Sequence, residues 1–187
     1  YPELILSVDT FRSEVARNCL DLGIDIINDI SAGCIDKNIL DVVAEYNCPY
    51  IMMHMKGTPQ TMQINPEYDN LIKELLIFFA KRIYLAREKG IIDIIVDPGF
   101  GFGKTLDHNY TIIKKIENFK LLDLPILVGI SRKSFITKQL DINKKDSLNG
   151  TTALNMYFLE KNINILRVHD VKEAKECIML HEKIKSS

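Results

Sequence analysis

The chain lacks most of the marks of a special environment. Its four cysteines, Cys19, Cys34, Cys48 and Cys177, stand apart with no CxxC spacing. That argues against a zinc cluster and fits a reducing compartment, so a cytoplasmic location is expected. Net charge is nearly absent: 24 basic residues stand against 25 acidic ones, for −1 overall. Nothing in that balance calls for nucleic acid or an anionic membrane as partner, and any anion site must come from local placement of basic groups. Long apolar runs are missing too; LLIFFA at Leu75–Ala80 is far too short to span a bilayer. There is no initiator Met and no signal-peptide pattern, and Tyr1-Pro2-Glu3 runs directly into a strand, which reads as a cut through a larger protein. Two nucleotide motifs are absent. Lys104-Thr105 suggests a phosphate loop, but the glycine that motif requires is Pro98. No GxGxxG with an acidic residue about twenty positions later occurs.

What is present is a soluble-domain composition, 47% hydrophobic and 26% charged over 187 residues, enough for one domain with a real core. The organising stretch is Ile91–Thr105, IIDIIVDPGFGFGKT. Ile91 to Val96 reads as a parallel strand covered on both faces, ended by Pro98 with Asp97 at its tip. Gly99, Gly101 and Gly103 open backbone conformations closed to other residues. Asp97 is a site candidate because ligands bind at the C-terminal ends of parallel strands; the alternative is a capping carboxylate above a tight turn.

Strand and helix alternate along the whole chain. Strands are expected at Leu4–Val8, Ile24–Ile27, Tyr50–Met53, Ile91–Val96, Pro125–Gly129 and Ile163–Val168. Helical spacing recurs over Phe11–Leu22 and Asp36–Tyr46, and at Leu71, Leu75, Phe79, Ile83 and Ala86. It recurs again over Asp107–Phe119, with Ile112, Ile113, Ile116 and Phe119 inward, over Thr151–Leu159, and at Val171, Ala174, Ile178 and His181. Met55–Pro66 is a long polar loop. This order predicts a parallel α/β sheet with right-handed crossovers, either an open doubly wound sheet or a closed eight-stranded barrel, and the missing dinucleotide fingerprint weakens the first.

The strand tips carry Asp9, Asn28, His54, Asp97, Lys133, and Arg167 with His169. Asn28, Asp97 and Lys133 together offer acceptors, donors and a cation, a set suited to a flat heterocycle with amine and carbonyl edges. Arg167 and His169, two apart, point to the same face and suit a phosphate or pyrophosphate. The bland readings are an ion pair from Arg167 to Asp170 or Asp97, a structural His169, a His54 that only packs against a helix, and a Phe102 packed beneath its loop. In the other reading Phe102 walls an aromatic ligand.

ILSVDTFRSEVA, DIINDISAG, IMMHMKGTPQTMQ, VDPGFGFGKTLDHNY, PILVGISRKSFI, GTTALN and ILRVHDVKEA occur in this order over nearly the whole chain, and together they resemble the dihydropteroate synthase family. The resemblance implies a (β/α)8 TIM barrel of which residues 1–187 form a single, N-terminally incomplete pterin-binding domain, with six βα units here and the first two strands upstream or missing. It implies a transferase that condenses hydroxymethyl-dihydropterin pyrophosphate with p-aminobenzoate in folate synthesis and is a sulfonamide target. It implies that Asn28, Asp97 and Lys133 recognise the pterin, with Ile30 and Met53 as apolar walls. Asp9 would stabilise the cation left as pyrophosphate departs, Arg167 and His169 would bind pyrophosphate, and Phe102 and Ser134 would surround p-aminobenzoate. Asp9, Lys133, Arg167 and His169 are thus the catalytic set. Magnesium is implied through the pyrophosphate and an upstream asparagine outside this chain, with no metal ligand within it, and a homodimer is implied.

Two departures accompany the resemblance. The family's first two loops are absent, so a chain that began at Tyr1 would bind pterin weakly and not turn over. DSLNG before Thr151 lacks the arginine often found there. The competing readings are a non-catalytic pterin-binding barrel, similar to the folate-binding barrel of methyltransferases, and a degenerate pseudoenzyme; Lys133, Arg167 and His169 weigh against the first, since a methyl donor has no pyrophosphate to release, and the intact set of six tips weighs against the second.

Overall fold

The structure is a computed structural model and describes residues 3–58, 60–62 and 66–187. Tyr1 and Pro2, and Pro59 and 63–65 of the expected long loop, lie outside the described residues. The backbone divides into two compact units, one of residues 1–55, 68–98 and 122–124, the other of residues 56–67, 99–121 and 125–187. Each is described by itself.

The first unit is a four-stranded parallel sheet. Its strands β1 (Ser7–Asp9), β2 (Ile26–Asp29), β3 (Tyr50–Met53) and β4 (Ile94–Asp97) pair in chain order. Helices α1 (Ser13–Asp21), α2 (Ile39–Tyr46) and α3 (Leu71–Glu88) make the crossovers. The register aligns Asp9 with Asn28 and Met53 with Asp97, so strand-end side chains meet across neighbouring ladders. Helix α3 shows why the pattern folds as it does. Asn70 caps it by accepting from the Lys73 N–H, and Leu71, Leu75, Phe79, Ile83 and Ala86 are all buried. Burial of one such large side chain contributes about 1.5–3 kcal/mol. Gly90, at φ +91, ends the helix.

The second unit holds α4 (Leu106–Lys114), followed by 3-10 turns at Ile116–Leu122 and Lys144–Asp146, with α5 (Ser134–Leu140), α6 (Leu148–Glu160) and α7 (Val171–Lys185). Strands β5 (Leu127–Val128) and β6 (Ile165–Leu166) pair in parallel. Ile112, Ile113, Ile116 and Phe119 are buried as expected. The parallel α/β class is the one the alternation predicts.

Several boundaries differ from the expectation. The strand over Ile91–Val96 begins only at Ile94, because the Ile91 N–H still closes the end of α3 on the Ala86 carbonyl; Ile92 is 83% exposed and is not covered on both faces. The first strand spans Ser7–Asp9 rather than Leu4–Val8: the Leu6 N–H is taken by the Asp25 side chain, and Leu4 and Ile5 are exposed. On α7 the inward stripe is Ala174, Cys177 and His181, with Val171 exposed in its first turn. Helix α5 carries no periodicity that singled it out.

Candidate active site

In the first unit the ends of β1 and β2 bring Asp9 and Asn28 together. Asn28 Nδ2 donates to Asp9 Oδ1 at 2.7 Å. Asn28 is 5% exposed, and its Oδ1 is buried with no hydrogen-bond partner. A buried carbonyl left without a donor costs about 1–3 kcal/mol, which a ligand N–H would recover. Asp97 ends β4 and is also buried, while its backbone carbonyl accepts from the His54 N–H. Met53 is buried at the end of β3. Ile30 is half-buried and lines a cavity of about 310 Å³ with Asp9, Thr10 and Phe11.

Asp29, next to Asn28 on β2, points to the opposite face and does different work. It is fully buried; Oδ1 accepts from the Ser31 N–H and Oγ–H, and Oδ2 from the Gly33 N–H and the Tyr50 hydroxyl. Burial, reinforced by the Asp29 charge, pushes the Tyr50 phenol well above its ordinary value. Four donors on one carboxylate fix the loop after β2, and Arg82 Nε adds a bond to the Ala32 carbonyl. His54 is buried edge-on against Phe78, with ring centroids 4.8 Å apart, so the helix-packing reading of it holds.

In the second unit the glycine loop follows Pro98. Gly99, Gly101 and Gly103 all have positive φ. At Gly103 a Cβ would lie 2.6 Å from the Lys56 carbonyl oxygen, so only glycine fits. Asn109 holds the loop from beneath, accepting from the Gly101 N–H at 2.8 Å and donating to the Thr105 carbonyl at 2.6 Å. Lys133 is the N-cap residue of α5, five positions beyond the end of β5. Its ammonium donates to the Phe100 carbonyl and sits 4.7 Å from the Phe102 ring centroid. Phe102 is half-buried, with that cation against its ring.

Arg167 and His169 lie just beyond β6 rather than on it. With Lys133, Ser131 and Gly129 they line one cavity of about 210 Å³. Asp170, one of the two carboxylates weighed as a partner for Arg167, is bound at both oxygens by Arg132. Hydrogen bonding to that guanidinium holds the Asp170 carboxyl below the usual range. Ser134 opens a different hollow of about 280 Å³, shared with Lys104, Asn109 and Lys138. Lys133, Arg167 and His169 thus come together, Phe102 joins through Lys133, and Ser134 faces the neighbouring cavity. Asn28 and Asp97 belong to the first unit. Among the described residues no three His, Cys, Asp or Glu side chains gather as a metal site.

Sequence reasoning passed over Ser131, Asn109 and Asp29. All three lie inside motifs that drew attention, SRKS, LDHNY and INDI, but a buried partner for each is a tertiary fact.

In the first unit a buried amide–carboxylate pair stands at parallel strand ends beside an apolar hollow, and in the second Lys133, Arg167 and His169 line a cationic pocket. The sequence model of the pterin binding enzyme family matches residues 1–169. The chain belongs to that family, with the (β/α)8 fold class of its members and six of their βα units. Among the relatives are dihydropteroate synthases. The one from Synechocystis is 43% identical over 91% of this chain, and the one from Escherichia coli K12 is 39% identical over 96%. The solved structure of the Yersinia pestis dihydropteroate synthase with a sulfonamide drug superposes with a TM-score of 0.95 at 35% identity, over 99% of this chain and 68% of that one. The chain spans 60% and 64% of the length of the two curated relatives.

Proposed function

We propose that the protein is a dihydropteroate synthase, joining hydroxymethyl-dihydropterin pyrophosphate to p-aminobenzoate with release of pyrophosphate. The observation that carries the reading is Asn28: one end of its amide is tied to Asp9, and the other is a buried carbonyl in need of a donor. A pterin supplies such N–H groups. Asp97 and Lys133 read the remaining amine and carbonyl edges, and Met53 and Ile30 wall the ring. The amine of p-aminobenzoate attacks the exocyclic carbon as its bond to the pyrophosphate oxygen breaks. Asp9 stabilises the positive charge that develops on the pterin, and Arg167 and His169 take the leaving group. Phe102 and Ser134 position p-aminobenzoate, which a sulfonamide resembles in shape and charge. Magnesium is expected to enter with the pyrophosphate rather than on a group of His, Cys, Asp and Glu side chains, none of which gathers among the described residues. We read the protein as cytoplasmic and homodimeric, with residues 1–187 acting as a single pterin-binding domain.

The test is calorimetric titration of the full-length protein with pterin pyrophosphate, beside an assay of pyrophosphate release. Asn28→Ala is expected to cost about tenfold or more in affinity, the value of a buried hydrogen bond, with little change in melting temperature. Unchanged affinity, or a wild-type protein that releases no pyrophosphate, overturns the reading.

A further inference from the structure

We propose that Ser131 is a positioning residue that sets the tautomer of His169, so that its Nε2 always carries a proton and serves as a donor to the anion in the pocket. The proposal rests on the reading of that pocket as the pyrophosphate site. Ser131 is 4% exposed, at the end of the segment that follows β5. Its Oγ accepts from the His169 backbone N–H at 3.3 Å and lies 3.0 Å from His169 Nδ1.

A hydroxyl has one proton and two lone pairs. With the amide N–H on one lone pair, an Nδ1–H on the second would leave the Ser131 proton with no acceptor among the described residues, whereas directing that proton at Nδ1 uses both groups. A neutral imidazole whose Nδ1 accepts must carry its own proton on Nε2. In the imidazolium, Nδ1–H donates to the second lone pair of Oγ, and Nε2 is again protonated. In both states the nitrogen left for a ligand is a donor, the form an anion requires. Without Ser131, the neutral ring is released to either tautomer, and one of them turns a lone pair on the phosphate oxygens. The frame around the pair is fixed independently. Arg132, next to Ser131, is bound to Asp170, next to His169, and the Arg132 N–H bonds Thr151 Oγ1. The same logic orients metal-bound histidines through the partner of their second nitrogen.

The experiment compares wild type, Ser131→Ala, Ser131→Thr and His169→Ala in the full-length protein. Nitrogen-15 NMR of histidine-labelled protein reads the tautomer, with His169 assigned by its loss in His169→Ala. Calorimetry reads inorganic pyrophosphate. Wild type and Ser131→Thr are expected to show the Nε2–H form, Ser131→Ala a mixture. Ser131→Ala should weaken pyrophosphate about tenfold in wild type and not at all in the His169→Ala background. An unchanged tautomer in Ser131→Ala, or an equal loss of affinity in both backgrounds, overturns the proposal; the latter would mean that Ser131 touches the anion itself. A wild type that fails to bind pyrophosphate sinks the functional reading alone, since the NMR comparison needs no ligand.

Discussion

Tyr50 and Asp29 show how single residues in this chain divide between structure and chemistry. Asn28 and Asp29 are adjacent and both buried, yet one has an unpartnered carbonyl while the other saturates its carboxylate with four donors. Strand alternation separates them: one faces the site, the other the loop it braces. The Tyr50 hydroxyl is one of those donors, and its ionisation is strongly opposed by burial and by Asp29. Since the folded value is raised, the unfolded chain loses its proton first. The stabilisation is therefore complete below the ordinary tyrosine value near 10 and is lost as pH rises above it. Chemical denaturation between pH 8 and 11 should show stability falling above about pH 10. Tyr50→Phe should remove up to about 1.4 kcal/mol per pH unit from that slope and cost about 1 kcal/mol at pH 7. Tyr46, Tyr68 and Tyr110 are also raised and leave a residual slope, and the raised thiols of Cys34, Cys48 and Cys177 begin it below pH 10.

At the scale of elements, the glycine loop and α4 form one device. Thr105 caps α4 by accepting from the His108 N–H, and His108 returns a bond to the Thr105 N–H. Asn109, one residue on, ties the helix back to Gly101. The loop is thus held by its own helix, and Lys133 lies across it. Gly103 is where substitution should be felt most. Gly103→Ala adds a left-handed penalty of about 1–2 kcal/mol to a backbone collision with Lys56. Gly23, at φ +89 with nothing within 4 Å of its missing Cβ, carries the penalty alone. Thermal unfolding should therefore find Gly103→Ala well below Gly23→Ala in melting temperature. Equal losses would mean that the loop moves away from Lys56 at no cost. The glycines were legible in the sequence as a close-approach loop; the residue Gly103 approaches was not, because Lys56 lies 47 positions upstream.

For the whole molecule, the division of labour proposed for the site makes its own forecast. Arg167→Ala should weaken inorganic pyrophosphate about tenfold or more, as expected for lost bonds to a charged group, and leave bare pterin within about twofold; equal losses measured by calorimetry would count against the anion assignment. The sequence by itself determined the α/β alternation, the buried stripe of α3 and the polar strand tips. These follow from side-chain period and turn chemistry within a few residues, and local physics writes them locally. Only tertiary structure decided that Arg132 binds Asp170, that His54 packs against Phe78 while Asn28 keeps an open carbonyl, and that Ser131 backs His169. Each of those outcomes depends on which distant side chain reaches a buried polar atom first. No spacing along the chain records which distant group a buried polar atom takes, or that Asn28 Oδ1 takes none.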